Sequence, residues 1–209
     1  MTQTDLWTAP VVLAGKIVRL EPTAEAHIPG LTEAGREESI WKYMLYGDLT
    51  RADSMAAWVR GLIDLRSHGT DLPFTVFHLA SGRIAGATRY LDIRPAHRSL
   101  EIGGTWYAVE FQHTMVNTEC KYLLLGYAFE TLGCIRVQLK ADARNERSLR
   151  AIERLGAVRE GVLRNHYILP DGVYRESVVY SILDTEWPAV KSRLEGLMST
   201  PREGPAGGA

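Results

Sequence analysis

The sequence predicts one α/β (α+β) domain over residues 1–198, with helices flanking a central mixed, mostly antiparallel sheet of about seven strands. Three observations carry this. The chain has 209 residues, of which 45% are hydrophobic, enough for one well-filled core and short for two. Its apolar spacing switches between strand and helix periods in the order strand, two helices, three strands, helix, strand, helix, two strands. Residues 137–156 spell a strand that turns directly into a capped helix, a junction at which a fold can offer polar groups to a ligand.

Residues 11–20 read as the first strand, and 23–36 and 54–67 as helices, the second capped by Ser54 with Trp58, Leu62 and Leu65 on one face. Strands over 73–80 and 83–92 are joined by Ser81-Gly82, which suits a tight hairpin, and 99–107 is a third successive strand. A long helix over 118–132 carries Leu124, Ala128 and Leu132 on its apolar face. In the junction, Val137, Leu139 and Ala141 alternate with Gln138, Lys140 and Asp142; Asn145 is placed to cap the helix and Gly156 to end it. Residues 162–169 and 174–183 form a last hairpin across Pro170-Asp171-Gly172, followed by a helix over 185–198. The helix between the strands at 99 and 137 lets those two run parallel, and ligands favour the crevice at the carboxyl ends of such strands, here near 107–117 and 142–148. Residues 199–209 lack large apolar side chains and are expected to form a disordered tail.

Twenty-four basic and 25 acidic residues leave a formal net charge of −1, which implies no overall pull toward nucleic acid or an anionic membrane. No apolar run approaches membrane-spanning length, and the N-terminus shows no secretory pattern. Cys120 and Cys134 have no metal spacing and read as buried free thiols, so the expectation is a cytoplasmic protein without a metal.

Four stretches carry a more specific signal: Glu101-Ile-Gly-Gly-Thr-Trp106; Asn117-Thr-Glu with Tyr127-Ala-Phe-Glu-Thr-Leu-Gly133; Asn145-Glu-Arg-Ser148 with Glu153-Arg-Leu-Gly156-Ala; and Glu160-Gly-Val-Leu-Arg164 leading to Asp171-Gly172. Together they resemble the GCN5-related N-acetyltransferase (GNAT) superfamily over residues 13–194, in the branch of the ribosomal-protein N-terminal acetyltransferases and many small-amine acetyltransferases. The resemblance implies a sheet splayed between its fourth and fifth strands, acetyl-CoA as co-substrate, and direct transfer to a primary amine of a small molecule, peptide or protein N-terminus. It places pantetheine between the splayed strands and pyrophosphate on the loop before the long helix. Backbone N–H groups at a helix N-terminus suit phosphate, and glycines let that backbone come close.

The family loop reads Gln or Arg, two variable residues, Gly, one variable residue, then Gly or Ala. This chain has Gln112-His113-Thr114-Met115-Val116-Asn117, which keeps the first position and departs at Met115 and Asn117. A β-carbon at Met115 would penalise a left-handed backbone by about 1–2 kcal/mol. Either the loop keeps its course with Met115 and His113 pointing outward, or the cradle is blocked and the fold serves another chemistry or a non-catalytic ligand. By resemblance the cofactor contacts are residues 112 to 118, ending at Thr118, together with Trp106 and Asn145. Trp106 reads as core by default.

Ser148 matches the family's proton donor to the departing thiolate. The resemblance places the thioester carbonyl near a backbone N–H of the strand over 99–107, which Gly103-Gly104, free of side chains, would leave accessible. Glu101 shares a strand face with Gly103 and is a candidate base, the equally weighted alternative being a solvated or salt-bridged carboxylate. The resemblance puts Trp41, Tyr43, Tyr46 and His166 on the acceptor side, with one of His166 and Tyr167 facing the site if the strand is regular. The aromatic rim serves equally well as dimer contact or core, so a homodimer fits this reading.

Overall fold

The computed structural model describes residues 7–199; the expected tail beyond Ser199 lies outside them, as do residues 1–6. The strands are β1 (Leu13–Ala14), β2 (Val18–Pro22), β3 (Leu72–His78), β4 (Ile84–Arg94), β5 (Ser99–Tyr107), β6 (Arg136–Asp142), β7 (Val158–Ile168) and β8 (Tyr174–Leu183). The helices are α1 (Ile28–Ala34), α2 (Ala52–Ser67), α3 (Val116–Gly126), α4 (Glu146–Leu155) and α5 (Trp187–Ser199).

The eight strands form one sheet in the order β1-β2-β3-β4-β5-β6-β8-β7, antiparallel except where β5 meets β6. The sheet is the expected mixed, mostly antiparallel one of about seven strands, with one more because residues 11–20 supply two. Residues 11–20 do not form one strand: the chain turns at Gly15 and folds back, pairing Leu13 with Leu20 and Ala14 with Arg19. Gly15 has no alternative there, because a Cβ would sit 2.4 Å from the Glu119 carboxyl carbon. That carboxylate accepts backbone N–H bonds from Lys16 (2.9 Å), Ile17 (2.7 Å) and Val18 (2.7 Å), so α3 holds the turn of an edge hairpin far away in sequence.

Other boundaries shift for local reasons. The helix expected over 23–36 is a short 3-10 turn (Glu25–His27) followed by α1, and α2 starts at Ala52 with Arg51, not Ser54, at its cap position. α3 begins two residues before the expected 118, and its far end loosens into a π-helical turn (Tyr127–Thr131). The hairpin between β3 and β4 closes as expected, with Gly82 at φ 67 donating to His78 O.

Successive side chains of a strand face opposite ways, and β5 uses this to sit between layers. Trp106 packs its ring 6.1 Å from Trp58 of α2, whereas Thr105 accepts a hydrogen bond from Lys121 of α3. The core fills both sides with large side chains sealed from solvent, among them Phe74, Tyr90, Leu124, Leu139 and Tyr180.

Candidate active site

β5 and β6 pair only from Ser99↔Arg136 to Glu101↔Gln138 and then diverge. Beyond Glu101 the β6-facing edge of β5 has no neighbouring strand, and a cleft of about 410 Å³ opens there. On its other edge β5 bulges: Gly103 pairs with Arg89 and Trp106 with Ala87, so Gly104 and Thr105 oppose Thr88 alone. Gly104 takes φ 58, and a Cβ on it would lie 2.7 Å from the Tyr46 hydroxyl, so both backbone conformation and space call for glycine.

The strand-to-helix junction forms the opposite wall. Asn145 caps α4, its Oδ1 accepting from Ser148 N at 3.1 Å. Both residues line the cleft, and among the described residues nothing bonds the Ser148 hydroxyl or the Asn145 NH2. The cap therefore uses one half of the asparagine and leaves its donors for a ligand.

The loop before α3 is ordered by its own side chains. Gln112 donates from Nε2 to Tyr107 O at 2.9 Å and accepts at Oε1 from Arg147, and the Thr114 hydroxyl, donating to Phe111 O at 2.7 Å, accepts from Val116 N at 3.2 Å. Gln112, His113, Thr114 and Asn117 line the cleft, whereas Met115, Val116 and Thr118 do not. Met115 has an ordinary helical φ of −78, and the left-handed residue is exposed His113 at φ 60. The left-handed conformation considered for Met115 thus falls two residues earlier, and the Met115 side chain leaves the cleft open. Met115→Gly should accordingly change CoA affinity by no more than about twofold, as expected for a few tenths of a kcal/mol at a cap position, measured by calorimetry. A gain of tenfold or more would show a cradle that the thioether blocks.

Glu101, 4% exposed, faces the cleft; its Oε2 accepts from Gln138 Nε2 and from Lys140 Nζ, both at 2.9 Å. Of the two sequence readings of Glu101, the salt-bridged carboxylate is the one these contacts display. Tyr43 and Tyr46 also line the cleft, but Trp41 is core: it is 5% exposed, its indole N–H donates to Gly35 O, and its ring lies 4.9 Å from Trp106. Trp106 reaches the cleft wall from within the same aromatic cluster. His166 lies outside the cleft. A break in the β7–β8 register between Leu163 and Tyr167, with Asn165 at φ 47, makes the strand irregular and turns Tyr167 inward instead.

This architecture has known counterparts. A model of the acetyltransferase (GNAT) domain matches residues 18–158, which is more than half of the chain. The chain belongs to the GNAT family. It is 31% identical over 144 residues to the Bacillus subtilis (strain 168) protein named "Putative ribosomal N-acetyltransferase YdaF", covering 69% of this chain and 74% of that protein. A GCN5-related N-acetyltransferase from Brucella melitensis superposes with a TM-score of 0.86 at 28% identity, over 95% of this chain and 90% of that one. Mycobacterium smegmatis RimJ in complex with CoA-disulfide shares the fold, with a TM-score of 0.74 at 22% identity over 91% of this chain and 93% of that one. The protein is therefore an acetyltransferase of the GNAT type, and the resemblance read from its motifs holds.

Sequence reasoning missed three basic residues of this GNAT cleft. Lys140 and Arg175 sit on strands as unremarkable members of an alternating pattern. Lys121 lies four residues after Asn117, and that helical spacing was the signal that it shares the cleft face. Lys121 is 5% exposed, and its Nζ donates at 2.8 Å to Thr105, whose hydroxyl is in turn 2.8 Å from that of Thr88. Burial without a carboxylate partner lowers its pKa to about 8. Since the unfolded chain then binds more protons above pH 8, this group makes stability rise with pH, until the Cys120 thiol, pushed up by burial from 9.0 to about 12, opposes it. Unfolding free energy should gain about 1 kcal/mol between pH 8 and 9 from Lys121 alone, and Lys121→Met should remove that slope in pH-dependent urea titrations.

Proposed function

We propose that the protein moves the acetyl group of acetyl-CoA directly to a primary amine, and that the amine is the terminus of a peptide or protein. What supports this most is the cleft between β5 and β6, where an unpaired strand edge faces the uncommitted Ser148 hydroxyl and Asn145 amide. Peptide acceptors are favoured over other small amines by the relative named as a ribosomal N-acetyltransferase.

The residues present fit the cofactor. The N-terminus of α3, the loop from Gln112 to Asn117 and the arginines Arg147, Arg150 and Arg154 of α4 offer dipole and charge to phosphates. Bound acetyl-CoA would supply an activated acyl thioester. Asn145 would donate to the pantetheine arm, and backbone N–H groups along Gly103–Thr105 would bind the carbonyl as negative charge develops. Glu101, held by Lys140 and Gln138, would accept the proton of the incoming amine, and Ser148 would deliver one to the departing sulfur. The free thiols Cys120 and Cys134 fit a reducing cytoplasm.

The test is calorimetry with acetyl-CoA, followed by thiol-release assays on a panel of peptide amines. Binding together with amine-dependent release of CoA is the expected result. No heat at millimolar acetyl-CoA would exclude the reading and leave a GNAT fold serving another ligand.

A further inference from the structure

The cleft is far more basic than the chain around it: seven Lys or Arg side chains line it against two carboxylates, in a protein of net charge −1. On the acceptor side Arg89 is 3.1 Å from Asp71 and Lys140 is 2.9 Å from Glu101, and the other cleft carboxylate, Asp142, is held at 2.7 Å by Arg144 from outside the lining.

Arg175 is the exception. It is 8% exposed, lines the cleft, and donates through Nε to Ser177 Oγ at 3.1 Å, with its guanidinium 5.6 Å from the centre of the Tyr167 ring. No carboxylate among the described residues comes within ion-pair distance of it. Its terminal nitrogens have no protein partner, yet they are not sealed off, since neither is among the buried polar atoms that lack one. Arginine stays charged even where burial works against it, as burial does here. A desolvated guanidinium with one neutral hydrogen-bond acceptor, and with Asp142 and Glu101 acting on it only from beyond ion-pair distance, is a costly arrangement for a fold to keep for its own stability.

The surroundings suit an anion. The Tyr46 hydroxyl lies against the Gly104 backbone and, with its pKa raised chiefly by burial, remains a donor at neutral pH. The Tyr167 ring centre is 5.8 Å from the Lys140 ammonium and 5.6 Å from the Arg175 guanidinium.

We propose that Arg175 is the anchor of an anion subsite and that the natural acceptor is a primary amine bearing a carboxylate a few bonds away. This rests on the acetyltransferase reading above. The carboxylate docks on Arg175 with Tyr46 alongside, and the amine points toward Glu101 and Gly103. Two sources offer that chemistry: a free amino acid, or a peptide N-terminus with an acidic residue in its second position.

The experiment uses the full chain and matched probes: alanine against alaninamide, and the C-terminally amidated tripeptides Ala-Asp-Ala against Ala-Asn-Ala. Both binding by calorimetry and acetyl-CoA turnover are measured. The wild-type protein should favour the acid over the amide in one of the two pairs by at least about tenfold, expressed in KM rather than kcat, as expected for a charge-assisted bond in a dry site. The pair that discriminates identifies the source. Arg175→Met should erase the preference by raising KM for the acid probe to that for its amide, and leave the free protein as stable as before or more so; a merely structural arginine would instead cost stability when replaced. Should Arg175→Met fail to fold, Arg175→Lys serves, and the acid preference should weaken because the forked geometry is lost. Equal affinity for acid and amide in both wild-type pairs would overturn the subsite. Acid preference in binding without any turnover would retain the subsite and refute the acetyltransferase reading.

Discussion

Glu119→Ala lowers the unfolding free energy by about 3–5 kcal/mol, because one substitution strands three backbone donors at once. Hydrogen bonds to an ionised acceptor are each stronger than neutral ones, and here Lys16, Ile17 and Val18 all give their N–H groups to one carboxylate that is 5% exposed. For a single domain of ordinary stability this is a large share of the total. Urea unfolding followed by circular dichroism measures it. A loss under about 1 kcal/mol would mean that the turn finds other acceptors when the carboxylate goes. Glu119→Gln is the sharper control, since it keeps the shape but turns an NH2 toward backbone donors.

The second large effect is on rate. Ser148→Ala should reduce kcat for acetyl transfer by about 10²-fold or more, the usual contribution of a positioned proton donor, with little change in thermal stability. Stability is spared because the hydroxyl has no partner among the described residues, and the cap uses the Ser148 backbone N–H, which alanine retains. Asn145→Ala behaves differently: it loses the cap, at about 1 kcal/mol, together with any pantetheine contact. A kcat for Ser148→Ala within threefold of wild type would assign the proton to water or to another group.

Much of this was readable in the chain because it is local. The Asn145 cap, the Gly156 stop and the Ser81-Gly82 turn each depend on neighbours a few residues away, and each occurs where the sequence places it. The site residues that motifs encode, Glu101, Gln112, Asn145 and Ser148, meet in one cleft because they line the gap that opens where β5 and β6 stop pairing. What could not be read depends on contacts remote in sequence. The break at Gly15 is imposed by Glu119, roughly a hundred positions later, and no strand period reveals it. Tyr167 replaces His166 at the cleft because a bulge shifts the face of β7. Arg175 carries no signal of its own within the last hairpin and becomes a buried cation only when β8 is sandwiched between β6 and β7.

The brief pairing of β5 with β6 makes the sheet two plates joined along a short weld, Ser99 to Glu101 against Arg136 to Gln138. Past the weld no ladder transmits force between the plates, and the cleft occupies the gap. A molecule lying there with amides of its own would act as a filler strand, so its arrival would stiffen the joint between the halves as well as occupy a pocket. The amides from Gly103 to Tyr107 would then serve as a built-in gauge, slowing their hydrogen exchange when the gap is bridged.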